Sequence, residues 1–526
     1  MPDQESLLSQ ESKTKLFRSA GTVSGLTLVS RMTGLARDMV FANLFGAGGA
    51  ADAFNIAFTI PNVFRRFVAE GAMSVAFVPV FTEYQTTRSR NETLELFNIT
   101  FSWFTLLLSI ICGLAIAASP LLVKLFAPGF AADKFELAVY LNRLMFPYLF
   151  FVAMTSLLVA ILNTHRHFAA PAAAPILLNL AIVGSALTLS ESLDPPITAM
   201  AVGVLAGGVL ELALLWPFVR AFGVRLKFRF KRGHPAVKRM LLLMGPAAFG
   251  MAVYQVNILV SRALASLLPE GSVTYIYYSD RFMELPLGVF AVAIATVALP
   301  DLSQHAAKGD HERLTDTLRF ALRLTFLVCI PAMIWLAVCR VPLISTLLQR
   351  GMFEHDDTMA TAQVFLAASA GIWAVAGIRN LVPAFYAMKD TKTPVLIAFV
   401  AFILNAALGA TLMWPMGAAG LTTANSASSI LNFFLLFLFL RRKIGPLGGR
   451  QLFASIWRVT LASALAGMAV WPFGEMGLWA EDGQLLPKVG FLALAGIVGG
   501  SVFVLSAWLL QVEELRVLIR RLLRRT

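Results

Sequence analysis

Ser30-Arg-Met-Thr-Gly-Leu-Ala-Arg-Asp38 lies inside Gly21 to Phe45, a stretch otherwise apolar enough to cross a membrane. The interruption recurs. Pro61-Asn-Val-Phe-Arg-Arg-Phe-Val-Ala-Glu-Gly71 sets Arg65 and Arg66 in a second apolar stretch, and Tyr278-Ser-Asp-Arg-Phe-Met-Glu-Leu-Pro286 sets Arg281 in a later one. A guanidinium at membrane depth costs about 3 kcal/mol or more, so such residues face a water-filled cavity, pair with a partner or hold a ligand. One arginine alone is also explained by snorkelling to the headgroups. Several, each on its own helix, point to a cavity that holds an anion.

The rest of the chain fits a membrane fold. Hydrophobic residues make up 58% of 526 positions and charged residues 14%, with a mean hydropathy of +0.74. A soluble domain carries about 25% charge. At about 20 apolar residues per crossing, the chain predicts an all-α polytopic membrane protein with roughly fourteen spans. Basic residues cluster in alternate loops, such as 220–239, 441–458 and 516–525. These loops hold about 30 of the Lys and Arg and the opposite loops about 5, which predicts cytoplasmic termini. The net charge of +13 is therefore a topology signal, and no soluble basic domain exists to bind nucleic acid. Residues 1–17 are polar, with no apolar segment followed by a small-residue cleavage site, so no removable signal peptide is expected. Cys112, Cys329 and Cys339 fall in apolar spans and read as small hydrophobes.

A repeat organises the spans. Pro171 and Pro394 each follow a polar turn and open a span, 223 residues apart, while Arg65 and Arg281 are 216 apart. Both spacings follow from two pseudo-symmetric six-helix halves. The expected divisions are a polar tail (1–17), an N-lobe of six spans (18–222) and a basic cytoplasmic linker (223–239). A C-lobe of six spans (240–443), two extra C-terminal helices (451–512) and a basic tail (513–526) complete the chain. Six spans return the chain to the same side, so the halves are parallel repeats, with substrate bound between them and transport by rocking. Gly34 and Pro286, each within five residues of a cavity arginine, are the candidate hinges.

Local helix geometry ranks the charged side chains. Arg31 and Asp38 share a face across about 10 Å of rise, whereas Arg37 points about 120° from Arg31. Asp38 is placed to neutralise either arginine when no ligand is bound. Adjacent Arg65 and Arg66 diverge by about 100°, and Arg66 is spaced to pair with Glu70, which leaves Arg65 as the ligand candidate. Asp280 and Glu284 flank Arg281, with Glu284 placed to tether it. Tyr275, Tyr277 and Tyr278 read as an interfacial aromatic belt. Guanidinium forks bind phosphate bidentately and stay charged at any relevant pH, so two or three of them suit a diphosphate better than a sugar or a cation.

These motifs, with Ala51-Asp-Ala-Phe54, Ala160-Ile-Leu-Asn163 and Met244-Gly-Pro246, resemble the MurJ (MviN) family of bacterial lipid II flippases. That family belongs to the multidrug/oligosaccharidyl-lipid/polysaccharide exporter superfamily, and the resemblance covers nearly the whole chain. It implies transfer of undecaprenyl-pyrophosphoryl-MurNAc(pentapeptide)-GlcNAc across the bacterial inner membrane for peptidoglycan synthesis. It carries the essential cavity arginines onto Arg31, Arg37, Arg65 and Arg281, and the essential acid onto Asp52. Ser30, Asp38, Arg66, Glu70, Asp280 and Glu284 would support the charge, and the last two spans would hold the polyprenyl tail. The implied partners are lipid II, the bilayer and other cell-wall synthesis proteins, with no cofactor, no metal and a drive from membrane potential or an ion. The family's sodium-site carboxylates on spans seven and eleven are replaced here by Asn257 and Asn405.

Three rivals share some of this logic. A flippase for another polyprenyl-diphosphate-linked oligosaccharide would use the same arginines, and only the family motifs separate it. A drug or cation antiporter would place carboxylates rather than arginines in its cavity. A membrane-embedded enzyme would need a nucleophile with a base beside it. None of the six histidines offers that, and His165-Arg-His167 reads as a basic turn.

Overall fold

The computed structural model describes residues 2–67 and 74–516, with side chains for 21–67, 76–244, 255–284, 286–288 and 290–516. Glu70 and the last ten residues of the basic tail lie outside them. Every expected span falls on a helix or a run of helices. In the first half these are α1 (Pro2–Phe45), α2 (Gly49–Arg65) and α3 (Ser74–Thr87), followed by α4 (Arg90–Ala117) and α5 (Ser119–Phe126). Then come α6 (Ala132–Met145), α7 (Tyr148–Thr164), α8 (Ala169–Leu189) and α9 (Thr198–Ala221). The second half runs α10 (Pro235–Ala265), α11 (Ser272–Pro286), a π-helical turn (Leu287–Ala291) and α12 (Val292–Ala307). It continues as α13 (His311–Val338), α14 (Arg340–Leu347), α15 (His355–Ser369), α16 (Ile372–Ala387), α17 (Lys392–Met416) and α18 (Ala418–Ile444). Two further helices, α19 (Gly449–Gly474) and α20 (Leu485–Leu509), follow.

Among the described residues, nine helical segments are long and apolar enough to span a membrane, or ten if α15 and α16, bent by 41°, are one span. The chain is thus a multi-pass membrane protein. The stretches bearing Arg31, Arg65, Arg262 and Arg281 are not among the nine. A helix lining a polar site has no need to be apolar all round.

The chain forms two compact units, residues 1–45 with 49–259 and residues 46–48 with 260–526, and the division falls inside α10. The repeat is visible within each. The turn after α7 places Arg166 at φ 57°, and the turn after α16 places Lys389 at φ 61°, a left-handed conformation rare for residues other than glycine. The two are again 223 residues apart. In the second turn Asp390 accepts from Thr393 N at 3.1 Å and Lys443 Nζ at 2.7 Å, and the ammonium beside it holds its carboxyl down to about 2.

Packing in both halves depends on missing side chains. A Cβ on Gly203 or Gly207 of α9 would come within 2.6 Å of Ile182 Cα or 2.5 Å of Leu178 Cδ1 on α8. Lipid tails are as apolar as leucine, so helices in a membrane associate by this kind of close backbone approach. In the first unit a core of Phe77, Phe97, Leu157, Ile161 and Leu215 fastens α3, α4, α7 and α9 together. The basic linker lies along α4, where Asn98 Oδ1 accepts from Lys227 N at 2.9 Å and Ser102 Oγ from Arg229 N at 2.7 Å.

In the second unit α20 is fastened near its start and just past its end. Buried Lys488 donates to Ser345 Oγ at 2.9 Å, and Arg323 grips Glu513 at 2.7 Å and also Glu514.

Candidate functional site: arginines at membrane depth

In the first unit, Arg37 is buried on α1, and Asp38 and Asn179 are among the residues that hold it. Its Nε and Nη2 donate to Asp38 Oδ1 at 3.1 and 2.7 Å, and its Nη1 donates to Asn179 Oδ1 at 3.2 Å. Asn179, on α8, braces the same turn by donating to the Ser30 carbonyl at 3.2 Å and to Thr33 Oγ1 at 3.3 Å. Asp38 thus neutralises Arg37, while Arg31 is exposed on another face of α1, as their angular separation requires. The helix runs unbroken through Gly34, where a Cβ would meet Asn179 Nδ2 at an ordinary 3.5 Å.

Asp52, 1% exposed on α2, forms an ion pair with Lys134 of α6 at 3.3 Å. The ammonium also lies 4.5 Å from the centre of the Phe130 ring. At the far end of the same helix, Arg65 donates through Nε to Asn62 Oδ1 at 3.1 Å. Glu211, in the middle of α9, is 4% exposed. Arg66 begins a π-helical turn and is half-buried, as Arg65 is. Its expected partner, Glu70, is outside the described residues.

In the second unit, Arg281 is wrapped by its own helix. Nε and Nη2 donate to Tyr277 Oη at 3.3 and 3.2 Å, the guanidinium lies 5.1 Å from that ring's centre, and Nη1 reaches Glu284 at 3.3 Å. Glu284 tethers the arginine as its spacing implies. Asp280 turns instead to Arg262 of α10, whose Nη2 lies 3.1 Å from Oδ2. The tyrosines do not form an interfacial belt. Tyr277 serves Arg281, Tyr275 donates to Asp357 at 2.8 Å, and Tyr278 is buried in the protein. Pro286 is the last residue of α11, and the π-helical turn starts immediately after it.

Of the sequence candidates, the first unit brings Ser30, Arg37 and Asp38 into one cluster and leaves Arg31 outside it. The second joins Arg281 to Tyr277 and Glu284, and pairs Asp280 with Arg262. Four contributors are absent from the sequence reading: Lys134, Asn179, Glu211 and Arg262. Arg262 and Glu211 break apolar spans just as Arg37 does, so the same criterion applied evenly finds them. Asn179 and Lys134 meet partners 142 and 82 residues away, which no local pattern specifies. Asn405 is buried in α17 and Asn257 is half-buried in α10. His165 and His167 stack on Phe222 and Phe218, with ring centres 4.4 and 4.9 Å apart, as packing residues of a turn.

Solved structures place this architecture. A "multidrug resistance MATE family transporter of the MOP superfamily" in an inward-facing conformation matches with a TM-score of 0.62 over 82% of this chain and 99% of its own. At 14% identity, that likeness defines the fold alone. A "lipid II flippase MurJ, inward closed conformation" matches with a TM-score of 0.75 and 25% identity, over 91% of this chain and 98% of its own.

Sequence relatives narrow the class. The chain is 37% identical to a probable lipid II flippase MurJ of Vibrio cholerae, covering 93% of this chain and 94% of the relative. It is 34% identical to the lipid II flippase MurJ of Burkholderia cenocepacia, over 94% and 97%. Residues 41–484 match the family model described as lipid II flippase MurJ. The chain belongs to the lipid II flippase MurJ family.

Proposed function

We propose that the chain moves lipid II, undecaprenyl-pyrophosphoryl-MurNAc(pentapeptide)-GlcNAc, from the cytoplasmic to the periplasmic leaflet of the bacterial inner membrane for peptidoglycan synthesis. It is a transporter and not an enzyme, with both termini in the cytoplasm. Full-length family membership supports the substrate, and arginines at membrane depth in both units support diphosphate recognition. The observation that carries most weight is the state of Arg37. Its guanidinium is already oriented by Asp38 and Asn179, so a diphosphate meets a fixed fork rather than a mobile side chain.

In this reading Arg37, Arg65 and Arg281 grip the diphosphate, Arg31 assists, and rocking of the halves changes the leaflet to which the headgroup is open. The carboxylates of Asp38 and Glu284 compete with the diphosphate and take the arginines back on release. The last two helices, α19 and α20, hold the polyprenyl tail. Membrane potential acts on charge that moves with the cavity, at about 2.3 kcal/mol per charge per 100 mV. Other cell-wall synthesis proteins use the delivered precursor.

Complementation of a strain depleted of its own lipid II flippase tests the assignment. Growth is expected, together with exposure of labelled lipid II on the far leaflet of liposomes holding the purified protein. Normal membrane abundance with neither result refutes it.

A further inference from the structure

Val224-Arg-Leu-Lys-Phe-Arg-Phe-Lys-Arg232, in the basic linker, alternates apolar and cationic side chains as far as Lys231. A topology signal requires basic residues in this loop, but it requires neither that order nor a fixed shape. The segment has both. Left-handed glycines, Gly223 at φ 78° and Gly233 at φ 74°, turn the chain at its two ends. Between them, every second residue from Lys227 to Lys231 is tied to α4 through its backbone. Asn98 Oδ1 accepts from Lys227 N at 2.9 Å, Ser102 Oγ accepts from Arg229 N at 2.7 Å, and Trp103 Nε1 donates to the Lys231 carbonyl at 3.3 Å. Two residues of extended chain cover about 6.6 Å. The helical turn from Asn98 to Ser102 rises about 6 Å, so the segment runs along α4 as a strand-like strip.

The two rows of side chains have different surroundings. The apolar row emerges along its length, from Val224 at 3% exposed to Phe228 at 67% and Phe230 at 56%. These two rings meet Phe101 and Trp103 of α4, with centres 5.8 and 5.5 Å apart. Beyond Trp103, α4 turns Leu106, Leu107, Ile110 and Leu114 outward, as a helix in lipid does. The strip therefore lies where hydrocarbon gives way to headgroups, the level that tryptophan favours. Its five cations, Arg225, Lys227, Arg229, Lys231 and Arg232, are all exposed. Glu95 lies 3.8 Å from Arg229 and 3.5 Å from Lys231, whereas Arg225, Lys227 and Arg232 form no ion pair with any described residue.

We propose that this strip is a binding site for anionic phospholipids of the surrounding bilayer. Their phosphodiester headgroups sit on the cationic row, and their acyl chains lie against Phe228, Phe230 and the outward face of α4. A lipid supplies both an anion and an apolar tail, which is what the two rows require. An acidic protein segment matches the cations but leaves the phenylalanines unused. The site employs none of the arginines at membrane depth, and it does not depend on which lipid the protein transports.

The test titrates the purified full chain in detergent with fluorescent phosphatidylglycerol, with phosphatidylcholine as the neutral control. Phosphatidylglycerol is expected to bind more tightly, and the preference should shrink as salt screens the cations. Arg225→Gln with Lys227→Gln and Arg232→Gln should weaken that binding about 100-fold, about fivefold for each cation lost. The melting temperature should not change, since these side chains are exposed and make no ion pair with described residues. Phe228→Ser with Phe230→Ser should weaken binding as well. Arg441→Gln with Arg442→Gln and Arg450→Gln removes the same charge from another basic loop and should leave affinity unaltered. Equal loss in the two triple variants overturns the proposal, because net charge alone then explains binding. Full affinity in the linker triple variant also overturns it and leaves an acidic protein segment as the occupant. Full affinity in the phenylalanine pair replaces the lipid by any polyanion. Undecaprenyl diphosphate binding should be the same in the linker triple variant as in the parent. Its loss alongside phosphatidylglycerol would assign the strip to the transported lipid instead.

Discussion

Arg37 and Asp38 are neighbours in sequence on α1, yet the guanidinium donates twice to the adjoining carboxylate, at 3.1 and 2.7 Å, while both side chains are buried. Consecutive residues on a helix point about 100° apart, so both side chains must bend toward one another to meet. Asn179 fixes the remaining guanidinium nitrogen. The pair therefore combines a structural and a ligand-binding role, and these can be separated.

Removing one member of the pair leaves a buried charge uncompensated, at a cost of about 3–5 kcal/mol. Arg37→Ala is expected to lower the melting temperature in detergent and to abolish complementation. Arg37→Ala combined with Asp38→Ala should recover the melting temperature without recovering growth. Arg37→Lys should also fail to support growth, because an ammonium has no planar fork to reach Asp38, Asn179 and a phosphate together. Full growth with Arg37→Ala at normal abundance would remove Arg37 from the clamp.

Asp52 presents the opposite case. Its pair with Lys134 joins α2 to α6 and leaves the carboxylate 1% exposed. Loss of activity in Asp52→Ala is thus predicted to arise from an orphaned Lys134 and a destabilised helix pair, again by about 3–5 kcal/mol. Asp52→Leu with Lys134→Met should restore thermal stability and most transport. A stable double variant with no transport would instead give Asp52 a direct part in moving substrate.

The sequence criterion that found Arg37 worked because charge in a long apolar stretch is costly wherever the stretch folds. It located the apolar helices among the described residues and the paired turns of the repeat, since apolar length and turn chemistry are local properties. Partner choice is not local. Asp38 was equally placed for Arg31 and Arg37, and only the approach of Asn179 on α8 settles the matter. The three tyrosines before Arg281 misled for the same reason. Their composition fits an interface, but Tyr275 and Tyr277 hydrogen-bond within the protein and Tyr278 is buried.

Arg65 and Arg66 give a direct contrast at one helix end. Arg65 is oriented by Asn62 one turn earlier, whereas Arg66 begins the π-helical turn. Complementation is expected to be lost with Arg65→Ala and only weakened with Arg66→Ala, at matched membrane abundance. Equal loss in both would overturn the assignment of Arg65 as the ligand-facing member. Asn62→Ala should give an intermediate phenotype, since it frees the Arg65 side chain without removing its charge.

Arg262 tests whether second-unit charge is set by competition. Asp280 adjoins Arg281 in sequence but is held by Arg262 at 3.1 Å, while Arg281 donates to Tyr277 and Glu284. In Arg262→Ala the freed carboxylate becomes a rival anion beside Arg281, within the range at which unit charges shift affinity by about tenfold. Diphosphate binding to the purified chain should therefore weaken by about that factor, although Arg262 itself need not touch the ligand. Arg262→Ala with Asp280→Ala removes the rival and should return the affinity to near its starting value. A direct contact between Arg262 and the diphosphate predicts the reverse, with weak binding that persists in the double variant. Comparing those two affinities, at equal melting temperature, decides whether Arg262 acts through Asp280 or on the substrate itself.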